Sequence, residues 1–179
     1  MRRQNIDRGG YKFQIPAKSN DHLSTFVWMK TITLRRTNSD NPDFRALITE
    51  LDADLRLRNG DLMNIYDQHN VIEKIDTVVV AYIDEVPAGC GCFKTYDNET
   101  VEIKRMFVRP QARGNGISRK VLTELEAWAR ELKTTYAVLE TGSKQLEALS
   151  LYPKAGYLPI PKYGPYIDLP ESICFKKVL

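Results

Sequence analysis

Few residues in this chain are of the types that bind metals or form disulfides. Its 179 residues include two histidines, His22 and His69, and three cysteines, Cys90, Cys92 and Cys174. Neither histidine has a partner at metal-ligand spacing, so we expect no metal site. The number of cysteines is odd and no Cys-x-x-Cys occurs, which argues against a disulfide framework and fits free thiols in a reducing cytoplasm.

Long apolar segments are also absent. The longest run, VVVAYI at 78–83, is far shorter than the roughly 20 residues that cross a bilayer. The first residues carry cations but lack the apolar core of a signal peptide. We therefore expect a cytoplasmic protein that makes no contact with a membrane.

The small excess of positive charge lies at the N-terminus. The chain has 26 Lys and Arg against 23 Asp and Glu. Residues 1–28 hold five of these cations and two of the anions, which leaves 21 of each sign in residues 29–179. Proteins that bind nucleic acid carry their basic stripe on the folded domain, so nucleic acid is not the expected partner. Binding through the basic N-terminal segment is the alternative, and it would be lost if residues 1–28 were deleted.

Hydrophobic patterning predicts one α/β domain at 29–179, preceded by a weakly ordered extension at 1–28 that shows no periodicity. The predicted strands and helices alternate, and the strands between 76 and 108 are separated by short turns that indicate an antiparallel meander. Strands are expected at about 30–36, 76–83, 87–96, 100–108 and 135–140 and from 157 and 173, and helices at about 41–57, 61–69, 116–132 and 145–154.

A glycine-rich loop, QARGNG at 111–116, joins a predicted strand to a predicted helix. Glycine is unfavourable there unless the backbone must approach something closely. The first amide groups of a helix lack internal partners and carry the positive end of its dipole, so this loop suits an anion. It is neither a P-loop, which needs Lys-Ser/Thr after the last glycine, nor a dinucleotide fingerprint, which needs glycine where Arg119 stands. A plain strand-to-helix turn with solvated cations is the alternative.

The loop resembles the pyrophosphate loop of the GNAT superfamily of N-acetyltransferases, whose motif is R/Q-x-x-G-x-G/A. The preceding EIKRMFV resembles the family's fourth strand, and LYPKAGY at 151–157 resembles its helix-then-strand motif, commonly L-Y-E-K-x-G-F. These blocks occur in the family's order within about residues 77–160. The resemblance implies a mixed, mostly antiparallel central sheet flanked by helices, in which strands at about 100–108 and 135–140 splay apart to hold acetyl-CoA.

The resemblance also implies which residues bind this co-substrate. Amides of the loop would bind the pyrophosphate, and Arg109, Arg113, Arg119 and Lys120 would surround it with positive charge. Gln145 stands where the family commonly has Asn, and its amide reaches further. The implied coenzyme-binding set is Met106, Phe107, Val108, Gln111, Arg113, Gly114, Asn115, Gly116, Ile117, Ser118 and Gln145.

Two residues are implied as catalytic. Glu102 resembles the glutamate that takes the proton of the amine in many family members, and strand alternation places it on one face with Lys104 and Met106. Tyr152 resembles the tyrosine that protonates the thiolate of coenzyme A. The alternatives are a surface ion pair between Glu102 and Lys104 and a core tyrosine that closes a short helix.

The implied reaction is transfer of the acetyl group to a primary amine of a small molecule, or to a protein amine, by direct attack in a ternary complex. An aromatic and acidic set near the acceptor side would suit a small cationic amine: Asp61, Tyr66, Tyr163, Tyr166 and Asp168.

A non-catalytic acyl-CoA-binding module is the alternative from another functional class. Acyl transfer through Cys90 or Cys92 is a third possibility, although a nucleophilic cysteine needs an adjacent base. The oligomeric state, a homodimer included, stays open.

Overall fold

The computed structural model describes residues 30–59 and 74–179, so the predicted extension at 1–28 and helix at 61–69 lie outside the described residues. Short 3₁₀ turns at 110–112 and 164–166 add to the regular elements. The main elements are, in chain order, β1 (Ile32–Thr37), α1 (Pro42–Asn59), β2 (Val78–Ile83), β3 (Val86–Thr95), β4 (Thr100–Val108), α2 (Ile117–Glu131), β5 (Tyr136–Gly142), α3 (Leu146–Lys154), β6 (Leu158–Ile160) and β7 (Ser172–Val178).

The seven strands form one sheet in the order β1-β2-β3-β4-β5-β7-β6. Neighbouring strands are antiparallel except β4 and β5, which run parallel. This confirms the α/β class and the predicted meander of β2, β3 and β4. No helix in the described part of the chain has the length and apolar character needed to cross a bilayer.

The helices cover both faces of the sheet because successive residues of a strand point to opposite sides. Val78 and Val80 of β2 pack with the buried face of α1, whereas Val79 and Ala81 pack with α2. The start of α1 is capped as its sequence indicates, since the Phe44 N–H donates to Asn41 Oδ1 at 3.0 Å. The apolar stripe of α2 is buried through Val121, Leu122, Leu125 and Ala129, at the spacing of an amphipathic helix.

The two parallel strands pair over a short distance and then separate. Their register begins at Thr100 opposite Tyr136 and ends at Ile103 opposite Leu139. β4 nevertheless continues to Val108 and β5 to Gly142. The splayed strand pair that the family resemblance implies is therefore present.

A β-bulge changes the direction of side chains in the second half of β4. Cys92 lies opposite Lys104 and Cys90 opposite Phe107, so β4 holds one extra residue between these pairs. Arg105 occupies the bulge with φ of 57°. The expectation that Met106 shares a face with Glu102 was wrong: the extra residue turns Met106 toward the cluster packed on α2.

We expect Gly89 to be required for the close packing of β3 on β4. A Cβ at this position would lie 2.7 Å from the backbone oxygen of Phe107 and 3.0 Å from a methyl carbon of Ile117. Gly89→Ala should lower the free energy of unfolding by about 1–3 kcal/mol in urea denaturation, because the backbone cannot yield as a flexible side chain would. Gly142→Ala is the matched control, since its Cβ meets only Gln145 Nε2 at 3.5 Å. Equal stability of the two variants would contradict this account.

Candidate active site

A cleft of about 240 Å³ lies beside the end of β4 that has parted from β5. Its walls come from the second half of β4, the glycine loop with the start of α2, the last turns of α1 and the length of α3. The lining residues are Leu51, Asp54, Leu55, Arg58, Met106, Phe107, Val108, Arg113, Gly114, Gly116, Ile117, Ser118, Gln145, Glu147, Ala148, Leu151 and Tyr152. Nine of the eleven implied coenzyme residues are among them, and Gln111 and Asn115 are not.

The glycine loop presents open backbone to this cleft. Gly114 and Gly116 have φ values of 81° and 72°, and a Cβ on either would meet no atom within 4 Å. Gly116 also stands at the N-cap of α2 and brings no side-chain cap to its first amides. Asn115 stabilises the loop, since its Nδ2 donates to Ala112 O at 2.9 Å. The loop therefore leaves space for an anion at the start of the helix, as the pyrophosphate of acetyl-CoA requires.

Arg113 is the member of the expected group of four cations that lines the cleft. Its Nε donates to Val108 O at 3.2 Å, and its Nη2 lies 4.0 Å from the Asp54 carboxylate across the cleft lining. Arg109 does not line the cleft, and its guanidinium binds Glu50 of α1 at 2.6 Å and the backbone oxygen of Pro87. Arg119 instead donates to Lys154 O at the end of α3, and Lys120 is exposed away from the cleft lining.

An ion-pair bridge between α1 and α3 was not foreseen from the sequence. Arg58 binds Asp54 at 2.9 Å within α1 and Glu147 of α3 at 2.7 Å. All three residues line the cleft. Asp54 and Arg58 are an i,i+4 pair, which a helix brings together. Arg58 and Glu147 are about 90 positions apart in sequence and belong to no local motif, so nothing in the sequence indicated that these two meet.

Tyr152 lies on α3 at the inner wall of the cleft, with 5% of its surface exposed. Its ring packs against Tyr157 and Phe175 at centroid distances of 5.7 and 6.0 Å. Burial, with a smaller contribution from the charge of Glu140, raises the pKa of the Tyr152 phenol. The hydroxyl therefore keeps its proton across the neutral range and can act as a donor.

Glu102 lies on the other face of β4, where four side chains form one hydrogen-bonded network. Glu102 Oε1 accepts hydrogen bonds from the hydroxyls of Tyr166 at 2.8 Å and Tyr163 at 3.0 Å. Its Oε2 accepts from Lys104 Nζ at 3.3 Å, and Lys104 Nζ donates to the Tyr166 oxygen at 2.7 Å. The ion pair considered as an alternative is thus present, but as part of this larger network. Burial first and the charge of Glu102 second raise the pKa values of both tyrosines.

Of the remaining members of the expected acceptor set, the structure describes Asp168, which has no hydrogen bond to this network. Asp168 is exposed, and Asp61 and Tyr66 lie outside the described residues. The structure therefore brings Tyr163 and Tyr166 to Glu102 but leaves the rest of that set untested.

Comparison with known proteins identifies the family of this chain. A family model described as Acetyltransferase (GNAT) family matches residues 41–157, from the cap of α1 to the end of the LYPKAGY block. The chain belongs to the GNAT acetyltransferase family. An IAA acetyltransferase of Azospirillum brasilense is 34% identical over 158 residues, which cover 84% of this chain and 100% of that protein.

Solved structures have the same fold. A Klebsiella pneumoniae subsp. pneumoniae protein, whose name assigns it to the acyl-CoA N-acyltransferases, gives a TM-score of 0.65 and 32% identity over 84% of this chain and 98% of that one. A GNAT family acetyltransferase of Elizabethkingia anophelis, crystallised with acetyl-CoA bound, gives 0.59 and 22% identity over 83% and 98%. As a GNAT member, this protein is an acetyl-CoA-dependent acyltransferase, which decides against a non-catalytic module.

The cysteines of this GNAT acetyltransferase are placed for packing. Cys90 and Cys92 are 0% exposed beneath α1, and their Sγ atoms contact backbone oxygens of Arg105 and Lys104. Burial raises the pKa of Cys92 to about 12 and that of Cys90 well above its ordinary value. Neither thiol lines the cleft, so the acyl-cysteine route has no structural support.

We expect Gly114→Asp to abolish acetyl-CoA binding, because it adds a carboxylate where the pyrophosphate is expected to lie. Gly114→Asn is the matched control, since both side chains tolerate the positive φ at this position and differ mainly in charge. Titration calorimetry should find binding reduced far more in the Asp variant than in the Asn variant, with both melting near the parent protein. Unchanged affinity of Gly114→Asp would contradict the assignment of this loop.

Proposed function

We propose that this GNAT acetyltransferase acetylates the primary amine of a small molecule by direct attack in a ternary complex, with Glu102 as base and Tyr152 as acid. A protein amine is the alternative acceptor. The observation that carries the proposal is that Tyr152 lines the cleft, while Glu102 lies on the opposite face of β4, one residue before the end of its pairing with β5. Tyr152 belongs to the cluster on the α2 side with Val101 and Ile103, and Glu102, which alternates with them along β4, points to the other side.

Acetyl-CoA supplies an acetyl group activated as a thioester. Its pyrophosphate would be held at the amides of 113–118, and the arm that carries the thioester would run along Met106–Val108. Past Ile103, the edge of β4 that faces β5 has no strand partner. Backbone N–H groups on that edge are therefore available to the arm and to the oxygen of the thioester carbonyl, where negative charge develops during the reaction.

The two side chains supply the proton transfers. An alkylammonium acceptor has a pKa of ~10 and must lose a proton before it can attack, and we propose that Glu102 takes this proton. The C–N bond then forms as the C–S bond breaks, and Tyr152 gives its proton to the sulfur. Tyr152 is reprotonated from water as the nitrogen loses its second proton, and Glu102 releases its proton to solvent. The products are the acetylated amine, the free thiol and one proton.

The acceptor side is aromatic as well as acidic, which supports a small protonated amine. Tyr163 and Tyr166 pack edge to face at 5.3 Å directly against the Glu102 carboxylate. Rings and a carboxylate together favour a cation that carries a small organic group. A turnover screen with acetyl-CoA over small amines, amino acids and peptides tests this class. IAA, named in the Azospirillum relative, belongs in the same screen.

Glu102→Gln should reduce turnover of an accepted amine by about 10²–10⁴-fold at neutral pH, because the amide keeps the shape of the side chain but cannot take a proton. The loss should shrink as pH rises, since the amine then deprotonates without help. The test is a pH–rate profile of the parent protein and of Glu102→Gln, with calorimetry to show that the variant retains its acetyl-CoA affinity. Wild-type turnover of Glu102→Gln across neutral pH would place the base elsewhere.

Tyr152→Phe should slow turnover, by less than Glu102→Gln does because a thiolate leaves tolerably well without a proton, and should leave acetyl-CoA affinity unchanged. Tyr157→Phe is the matched control. It removes the same group from the neighbouring ring, which is buried but does not line the cleft. The two rates should differ, and equal rates for the two variants would remove Tyr152 from the mechanism.

A further inference from the structure

We infer that Tyr166, assisted by Tyr163, is a positioning residue whose hydroxyl holds Glu102 Oε1 and leaves Oε2 as the oxygen that takes the proton of the acceptor. This inference rests on the proposed role of Glu102 as base. It concerns residues 61 and 64 positions further along the chain, outside the sequence blocks that identify the family.

The two carboxylate oxygens of Glu102 accept different numbers of hydrogen bonds. Oε1 accepts two short hydrogen bonds, at 2.8 and 3.0 Å, from the phenols of Tyr166 and Tyr163. A carboxylate oxygen has about two lone-pair positions, so Oε1 has little capacity left. Oε2 accepts one hydrogen bond from the described residues, that of Lys104 Nζ at 3.3 Å. The carboxylate therefore offers its open lone pair at Oε2.

The direction of each hydrogen bond follows from the chemistry of the donors. The ammonium of Lys104 can only donate, so the Tyr166 oxygen must accept in their 2.7 Å contact. The single proton of Tyr166 is then committed to Glu102. Burial raises the pKa of this phenol, so that proton is retained. The ring itself is 4% exposed and packs edge to face on Tyr163, which fixes the hydroxyl in place.

Tyr166 has a second effect, because it also binds the ammonium that competes for Glu102. Lys104 Nζ is closer to the Tyr166 oxygen, at 2.7 Å, than to Glu102 Oε2, at 3.3 Å. Without the hydroxyl, Lys104 would lose its shorter hydrogen bond and have the carboxylate as its remaining partner in the network. The ion pair would tighten at Oε2, the oxygen that the acceptor ammonium needs. Tyr166 thus keeps the two positive groups from meeting at one oxygen.

The test compares Tyr-to-Phe changes on three neighbouring rings, each of which removes one hydroxyl and retains the ring. Tyr96 is the matched control: it packs on Tyr163 at 5.2 Å and takes no part in the Glu102 network. We expect Tyr166→Phe to lower kcat by about 10–100-fold, Tyr163→Phe to lower it less, and Tyr96→Phe to leave it unchanged. The KM for acetyl-CoA should stay constant in all three.

Two double variants separate positioning from a general loss of structure. In the Glu102→Gln background, Tyr166→Phe should cause no further loss of kcat, because the group it positions is gone. In the Tyr166→Phe background, Lys104→Met should restore part of the lost turnover by clearing Oε2. A loss of packing alone would show neither behaviour, and melting curves would detect it. Should Tyr166→Phe fail to fold, Tyr163→Phe carries the test through the same Oε1.

The outcomes distinguish this inference from the proposed function. If Glu102→Gln loses turnover while Tyr166→Phe and Tyr163→Phe keep the rate of Tyr96→Phe, the positioning role is refuted and Glu102 remains the base. A full additional loss from Tyr166→Phe in the Glu102→Gln background would also refute it. If Glu102→Gln keeps the parental rate, both the role of Glu102 as base and the positioning role of Tyr166 are refuted.

Discussion

The separation of β4 from β5 after four paired residues is the constraint on which the site depends. Backbone groups inside a protein need hydrogen-bond partners, and a sheet normally supplies them along its whole length. Here the ladder stops at Ile103 and Leu139, and the edge of β4 beyond that point is left for another partner. The cleft lies beside the part of β4 that this interruption leaves without a strand partner, Met106–Val108 included.

The bulge at Arg105 shows how the two faces acquire different chemistry. One extra residue reverses the alternation of β4, so Met106 joins the apolar cluster on the α2 side. Arg105 meets Asp52 of α1 at 2.6 Å. Two residues earlier on the chain, Ile103 is packed into the core, while its neighbours Glu102 and Lys104 take part in the polar network. The second half of β4 thereby lines the cleft, and its first half carries the candidate base.

Most arginines near the glycine loop bind groups of other helices and so connect elements of the fold. Arg109 and Arg105 bind carboxylates of α1, and Arg119 binds the last carbonyl of α3. Guanidinium groups suit this task because their planar fork satisfies carboxylates and carbonyls from distant elements. The anion site that we propose therefore consists of backbone amides and Arg113, since the other three expected cations do not line the cleft. Lys104 likewise binds two groups at once: its ammonium pairs with the Glu102 carboxylate and donates a hydrogen bond to the Tyr166 hydroxyl.

The sequence by itself determined the features that depend on local chemistry. The strand and helix periods, the cap at Asn41, the two glycines of the loop and the blocks around Glu102 and Tyr152 act over a few residues, and so they could be interpreted without the fold. The tertiary structure decided which side chains meet. It took Arg109 away from the cleft, turned Met106 to the opposite face, brought Arg58 to Glu147 and folded Tyr163 and Tyr166 onto Glu102. These outcomes depend on strand register, on a bulge and on contacts between residues some 60 to 90 positions apart, for which no local pattern exists in the sequence.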